Sequence, residues 1–121
     1  MGVAVIADSP AAFRRWLERQ SEPAAAPASA QATTGRDVFL DGSCSSCHAI
    51  RGTSADSDVG PDLTHVADRQ TLAALTIPNT RADLADWIRN SQHVKRGNLM
   101  PNLRLSDSQV RAVVAYLEGL K

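Results

Sequence analysis

Apolar residues near the C-terminal end of the chain recur at the spacing of one helix face. They are Val110, Val113, Val114, Leu117 and Leu120. Just before them, Ser106 and Gln109 stand three residues apart, which is the pattern of a capping box at a helix start. The sequence therefore predicts an amphipathic helix that begins after Ser106 and runs to the C-terminus.

A second helix is predicted in the middle of the chain. Thr80 and Asp83 resemble another capping box. Three apolar residues follow at i, i+3 and i+4, namely Leu84, Trp87 and Ile88. This spacing is typical of a helix with one buried face.

The run from Gly35 to Leu40 predicts an earlier helix, with Thr33 and Thr34 as candidate caps and an end near Gly42. A further short helix is predicted from Arg69 to Leu75. No segment after residue 34 has the pattern of a strand. The fold class predicted from these elements is all-α, built from short helices.

Residues 21–34 are predicted to form a linker. They contain six Ala, two Pro, two Ser and two Thr, with no large apolar side chain to hold them to a core. As a flexible chain, fourteen such residues would have an r.m.s. reach of ~20 Å. The linker divides the chain into an N-terminal piece of residues 1–20 and a second piece of residues 35–121.

The N-terminal piece predicts a short strand followed by a helix. Val3, Val5 and Ile6 form a short apolar run, and Ser9-Pro10 then supplies a cap and a first helical residue. Behind them, three apolar residues lie at helical spacing: Phe13, Trp16 and Leu17. Twenty residues cannot bury enough surface to fold alone, so we interpret this piece as the end of a larger domain. The alternative is a helix docked on the second piece.

Composition narrows the class of protein. The length of 121 residues suits one domain. The 13 basic residues balance 13 acidic ones, and this lack of net positive charge disfavours nucleic acid as a partner. No apolar run approaches the ~20 residues that cross a bilayer, so no membrane contact is expected from this segment itself. Hydrophobic residues make up 43%, but only five are Phe, Trp or Tyr. The core is therefore thin, and a large apolar cofactor would fill it.

Cys44-Ser45-Ser46-Cys47-His48 is a C-x-x-C-H motif. Two residues between the thiols place both sulfurs on one side of a turn, where they can add to the vinyl groups of one porphyrin. The adjacent His48 can then reach the iron as a ligand. The sequence thus predicts covalent haem attachment at Cys44 and Cys47.

Two other uses of a Cys-x-x-Cys pair fit this sequence less well. A thioredoxin-like dithiol belongs beside a strand in a βαβ unit, and no such pattern surrounds Cys44. A structural zinc site would need four ligands from Cys44, Cys47 and two of the three histidines. Their spacings match no common zinc site.

Met100 is the candidate for the sixth ligand of the iron. Apart from Met1 it is the only methionine, and it lies in a loop that Gly97 lets turn and Pro101 stiffens. Ligation by a thioether favours ferrous iron and suits an electron carrier. The alternatives are a gap-filling core methionine, or ligation by His65 or His93, which we expect at the surface among polar neighbours.

Five separated motifs between Gly35 and the C-terminus resemble a class I cytochrome c domain. Around the C-x-x-C-H motif they are Gly35 with Phe39, Gly60-Pro61-Asp62-Leu63, Trp87-Ile88, Asn98-Leu99-Met100-Pro101, and Ala115-Tyr116-Leu117. The resemblance implies one covalent haem c on Cys44 and Cys47, with His48 and Met100 as the iron ligands. It also implies that the Pro61 carbonyl accepts a hydrogen bond from the His48 ring.

Other contacts are implied by the same resemblance. The first and last helices should cross closely, with Gly35 and Phe39 meeting Tyr116. Trp87 is a candidate for the haem propionates by family similarity, with plain core packing as its alternative. Arg69 is a candidate partner of the haem propionates only by its position in the sequence.

The N-terminal piece resembles the end of the cupredoxin (copper) domain of cytochrome c oxidase subunit II. In that family a methionine ligates the binuclear copper, and Met1 could match it or be a start codon. A copper domain, a linker and a cytochrome c in this order is the arrangement of caa-type haem-copper oxidases. The copper cysteines are absent from this chain.

The resemblance implies a one-electron carrier rather than an enzyme in its own right, within a parent cytochrome c oxidase. The donor would be a soluble cytochrome or a quinol-oxidising complex, and the acceptor the copper domain of subunit II. The implied location is the extracytoplasmic (periplasmic) face of a bacterial membrane complex. The alternatives are a free-standing periplasmic cytochrome c, or a haem enzyme or gas sensor with a labile Met100.

Overall fold

A computed structural model describes residues 2–121. The two interpretations of Met1, as a copper ligand or as a start codon, lie outside the described residues. The described residues form five α-helices: α1 (Pro10–Ser21), α2 (Ala30–Asp41), α3 (Arg81–Arg89), α4 (Ser91–Val94) and α5 (Asp107–Leu117). A 3-10 turn (Val66–Asp68) and two short antiparallel strands, β1 (Thr71–Leu72) and β2 (Ile77–Pro78), complete them. The mostly helical fold class is confirmed. None of these helices is long and apolar enough to cross a membrane.

The centre of the fold is the crossing of α2 and α5. A Cβ atom on Gly35 would lie 1.9 Å from the carbonyl oxygen of Ala112, so only glycine permits this approach of the two backbones. One turn further on, the rings of Phe39 and Tyr116 meet edge to face with centroids 6.1 Å apart. The predicted contact between the helix that carries Gly35 and the last helix, which are α2 and α5, is confirmed.

Gly35→Ala is expected to destabilise the protein by about 3 kcal/mol or more, since the added methyl group meets backbone that cannot move aside. The measurement is the free energy of unfolding from denaturant titration. Gly119→Ala is the control, because its Cβ would lie 3.3 Å from its nearest neighbour, the Tyr116 carbonyl oxygen. We expect a change of less than ~1 kcal/mol there. Equal losses in the two variants would contradict the close crossing.

Helix ends follow the capping residues. Ser106 and Gln109 form the predicted capping box of α5, and the Thr80 hydroxyl accepts the Asp83 N–H at the start of α3. The predicted start of α2 is wrong by four residues or more, because the cap is Ser29, whose hydroxyl accepts the Ala32 N–H. α2 ends before Gly42, as predicted.

The short helix predicted from Arg69 to Leu75 is wrong, and so is the absence of strands after residue 34. The segment forms β1 and the turn that leads into β2, with three consecutive residues at positive φ: Ala73, Ala74 and Leu75. The Asn79 side chain donates to the carbonyls of Val66 and Arg69, both at 2.8 Å. These contacts join the hairpin to the 3-10 turn.

The N-terminal piece is partly as predicted. Helix α1 begins at Pro10 behind the Ser9 cap, and Phe13 stacks on Trp16 with ring centroids 5.7 Å apart. The strand predicted at Val3–Ile6 does not form, and these apolar side chains are exposed. A strand needs a neighbouring strand to satisfy its backbone groups, and residues 2–121 provide none there.

Candidate functional site

A large cavity lies between the helices and the loops, with a volume of about 590 Å³. Its walls include seven buried apolar side chains: Phe39, Val66, Leu72, Leu84, Ile88, Val113 and Leu117. The volume lies within the ~300–1,000 Å³ of clefts that bind organic ligands. All seven candidate site residues line it: Cys44, Cys47, His48, Pro61, Arg69, Trp87 and Met100.

The C-x-x-C-H motif forms a tight turn after α2. The N–H groups of Cys47 and His48 both donate to the Cys44 carbonyl, at 3.1 and 3.0 Å. The two thiols form no disulfide with each other, and both are half-buried at the cavity. Burial raises the pKa of the Cys44 thiol. Both sulfurs are thus available to one ligand in the cavity, as thioether attachment requires.

The His48 ring is fixed by the loop that carries Pro61. Its Nδ1 lies 2.8 Å from the Pro61 carbonyl oxygen, which can only accept, so Nδ1 carries the proton and Nε2 keeps a free lone pair. A Cβ on Gly60 would lie 2.7 Å from the His48 ring, so glycine is required at this approach. His48 is therefore set to bind a metal through Nε2.

Arg69 and Asp62 hold the same loop in place. The Arg69 guanidinium donates to the Asp62 carbonyl at 2.6 Å, one peptide beyond Pro61. The Asp62 carboxylate accepts the Thr64 N–H at 2.7 Å and lies 3.9 Å from the Arg51 guanidinium. Burial alone would raise the pKa of this carboxyl. The hydrogen bonds from Thr64 and the positive charges of Arg51 and Arg69 lower it. Arg69 thus supports the proline loop, a role that its position in the sequence did not indicate.

The Met100 loop is fastened to α4 by hydrogen bonds. The Ser91 hydroxyl, which is buried, donates to the Met100 carbonyl at 2.7 Å. The Met100 N–H donates to the Asn98 side chain at 2.8 Å, and the Gln92 amide donates to the Asn98 carbonyl at 2.7 Å. Gly97 takes a φ of +79° at the start of the loop. Ser91 and Gln92 carry no motif, so sequence reasoning missed them.

The other two histidines do not line the cavity. His93 is exposed, as predicted, but His65 is 8% exposed, so its predicted surface position is wrong. Its Nε2 lies 3.1 Å from the Glu22 carbonyl oxygen, a partner that residue spacing cannot reveal. Among residues 2–121, no three His, Cys, Asp or Glu side chains lie together as metal ligands, so the zinc set is not assembled.

The donor set fits an iron porphyrin. Two thiols and an imidazole with a free Nε2 line the same apolar cavity as the loop that carries a thioether, and the cavity replaces what would be the middle of the core. Sulfur and nitrogen donors of this kind are the haem ligands that proteins use. The residues present therefore suit covalent attachment and axial ligation of one haem.

Comparison with known proteins gives the same assignment. Residues 32–121 match the family described as cytochrome c. The chain is 36% identical over 110 residues to cytochrome c oxidase subunit 2 of Alkalihalophilus pseudofirmus, and 27% identical over 114 residues to that of Bacillus subtilis. Each alignment covers 90% of this chain but 31% and 32% of the relatives. The chain therefore spans about a third of the length of these relatives.

Proposed function

This chain belongs to the cytochrome c family, whose haem c is bound covalently, and on that premise we propose that it carries single electrons. The haem supplies an iron that alternates between the ferric and ferrous states. The observation that carries the proposal is the convergence of Cys44, Cys47, His48 and Met100 on one apolar cavity. In this proposal the two cysteines would hold the haem through thioether bonds, and His48 and Met100 would bind its iron.

The surrounding residues keep both ligands in place. The Pro61 carbonyl orients the His48 ring and fixes its tautomer, and Arg69 steadies the loop from which that carbonyl projects. Ser91 restrains Met100 on the other loop. With His48 and Met100 both bound to the iron and apolar walls around it, water and substrates would be excluded, and little rearrangement would accompany a change of charge. These features support a carrier rather than a catalyst.

The haem propionates need polar partners at the cavity wall. Trp87 is the candidate from the family resemblance, since it lines the cavity and its indole N–H can donate. Arg69 also lines the cavity, and its guanidinium has further donors besides the one given to Asp62. We assign both to the propionates as part of this proposal.

The parent protein is proposed to be subunit II of a haem-copper oxidase. The support is that both relatives are cytochrome c oxidase subunit 2, and that residues 1–20, about one sixth of the chain, precede the proposed linker 21–34 and the cytochrome domain 35–121. Electrons would arrive from a soluble cytochrome or a quinol-oxidising complex. They would leave to the copper domain of subunit II, on the extracytoplasmic face of the membrane.

Redox titration with added carbon monoxide tests the carrier. We expect a single one-electron transition and no spectral change when carbon monoxide is added to the reduced protein near neutral pH. Rapid carbon monoxide binding would contradict a filled sixth position and would favour a haem enzyme or a gas sensor.

Ser91→Ala is expected to loosen the Met100 loop. Removal of one hydrogen bond worth about 1 kcal/mol makes displacement of Met100 easier, so cyanide should bind the ferric protein roughly five- to tenfold more tightly. The measurement is a cyanide titration followed by absorbance. Ser57→Ala is the control, because the exposed Ser57 hydroxyl donates to the Ser46 carbonyl, away from the Met100 loop. The same cyanide affinity in both variants would show that Ser91 does not restrain Met100.

A further inference from the structure

The segment between α1 and α2 lies on the cytochrome domain instead of hanging free. We call residues 20–24 the strap. The Ala24 N–H donates to the Arg51 carbonyl at 2.9 Å, and the Arg51 guanidinium donates back to the Gln20 carbonyl at 2.5 Å. The strap and the segment at Arg51 are therefore joined by hydrogen bonds in both directions.

His65 provides a second contact. Its Nε2 lies 3.1 Å from the Glu22 carbonyl oxygen, which accepts only, so Nε2 carries the proton. The ring is buried at 8% exposure, a burial that a polar side chain reaches when it has a bonding partner. Glu22 thus supplies one hydrogen-bond partner to the buried His65 ring, whose Nδ1 has none among residues 2–121.

The third contact is a close approach at Gly52. A Cβ on Gly52 would lie 3.0 Å from the Pro23 Cβ, and Gly52 has a φ of +88°. Ala24, the next residue of the strap, packs against the hydrophobic core. The surface formed by Arg51, Gly52 and His65 thus matches the strap in hydrogen bonding and in shape.

We infer that this surface is a docking site for the chain's own residues 20–24, which makes the strap a fixed support rather than a flexible tether. The helix α1 then stands in one orientation relative to the haem cavity. This ordering is independent of the proposed function. Its consequence for electron transfer does rest on that function: the domain would face its acceptor in a set geometry instead of searching for it.

Backbone order of the strap tests the inference directly. We expect ¹⁵N relaxation of the ferrous holoprotein to give order parameters of about 0.85 for the amides of Glu22 and Ala24, and values below about 0.6 in the Arg51→Met/His65→Phe variant. Wild-type values below about 0.6 would overturn the fixed support. Unchanged order in the double variant would overturn the docking role of these two side chains.

Two controls separate docking from other effects. Asp62→Asn alters the other contact of Arg51 and should leave the order of the strap unchanged; a loss of order there would contradict the direct role of Arg51. If the double variant does not fold, Gly52→Ala takes its place, paired with Gly97→Ala. Both glycines have positive φ, but a Cβ on Gly97 would meet nothing within 4 Å. Strap order should fall in Gly52→Ala alone, and any other outcome of this pair overturns the inference.

Discussion

Replacement of Met100 by alanine is expected to lower the reduction potential by on the order of 0.2 V, part of the ~0.8 V over which axial ligands move haem potentials. The thioether stabilises ferrous iron relative to ferric iron, and alanine removes that preference. For a one-electron couple, each ~59 mV corresponds to a tenfold change in the ratio of the thioether's affinity for ferrous iron to its affinity for ferric iron. The sulfur-to-iron charge-transfer band should disappear as well. Potentiometric titration and the ferric absorption spectrum measure the two effects.

Leu99→Ala is the control for this change. Leu99 precedes Met100 in the same loop, but its side chain is 99% exposed, so its loss should leave the charge-transfer band in place. If Met100→Ala kept both the band and the potential of the wild type, Met100 would not be the ligand.

The second large effect is expected from a Cys44→Ser/Cys47→Ser variant once its haem is removed. Without thioether bonds the haem can be extracted, which leaves a cavity of about 590 Å³ in the core. At ~24 cal/mol per Å³, an empty cavity of this size would cost up to about 14 kcal/mol. Whole domains are stable by about 5–15 kcal/mol. The extracted variant should therefore lose cooperative thermal unfolding and most of its helix signal in circular dichroism.

Ser46→Ala is the matched control, since Ser46 is exposed between the two cysteines. That protein should keep its haem through the same extraction and should melt cooperatively. A haem-free double variant that unfolds cooperatively near the wild-type temperature would show that haem does not complete the core.

Local sequence signals predicted the helices that carry strong caps. Ser106 with Gln109 and Thr80 with Asp83 fix the starts of α5 and α3 within a few residues, so their patterns suffice. The start of α2 was missed because Thr33 and Thr34 look like caps. In the structure their hydroxyls instead donate back to the carbonyls of Ser29 and Ala30 inside the helix.

Features set by tertiary contacts were beyond the sequence. Three left-handed residues after β1 replace the predicted helix, and alanine and leucine carry no signal for that conformation.

The candidate site was likewise only partly predictable from the sequence. The C-x-x-C-H motif and Met100 are recognisable by type and spacing, and Cys44, Cys47, His48 and Met100 line the cavity. The contact of Ser91 with Met100 and that of His65 with Glu22 join distant parts of the chain, so only the folded structure reveals them.

Attachment of one haem to Cys44 and Cys47 underlies every other function proposed for this protein. Trypsin cuts after Arg36 and Arg51, so both cysteines fall in the peptide of residues 37–51. Mass spectrometry of that peptide, from protein matured in a host that attaches haem c, should show the mass of one added haem and no free thiol. An unmodified peptide whose two cysteines both react with an alkylating reagent would contradict the account.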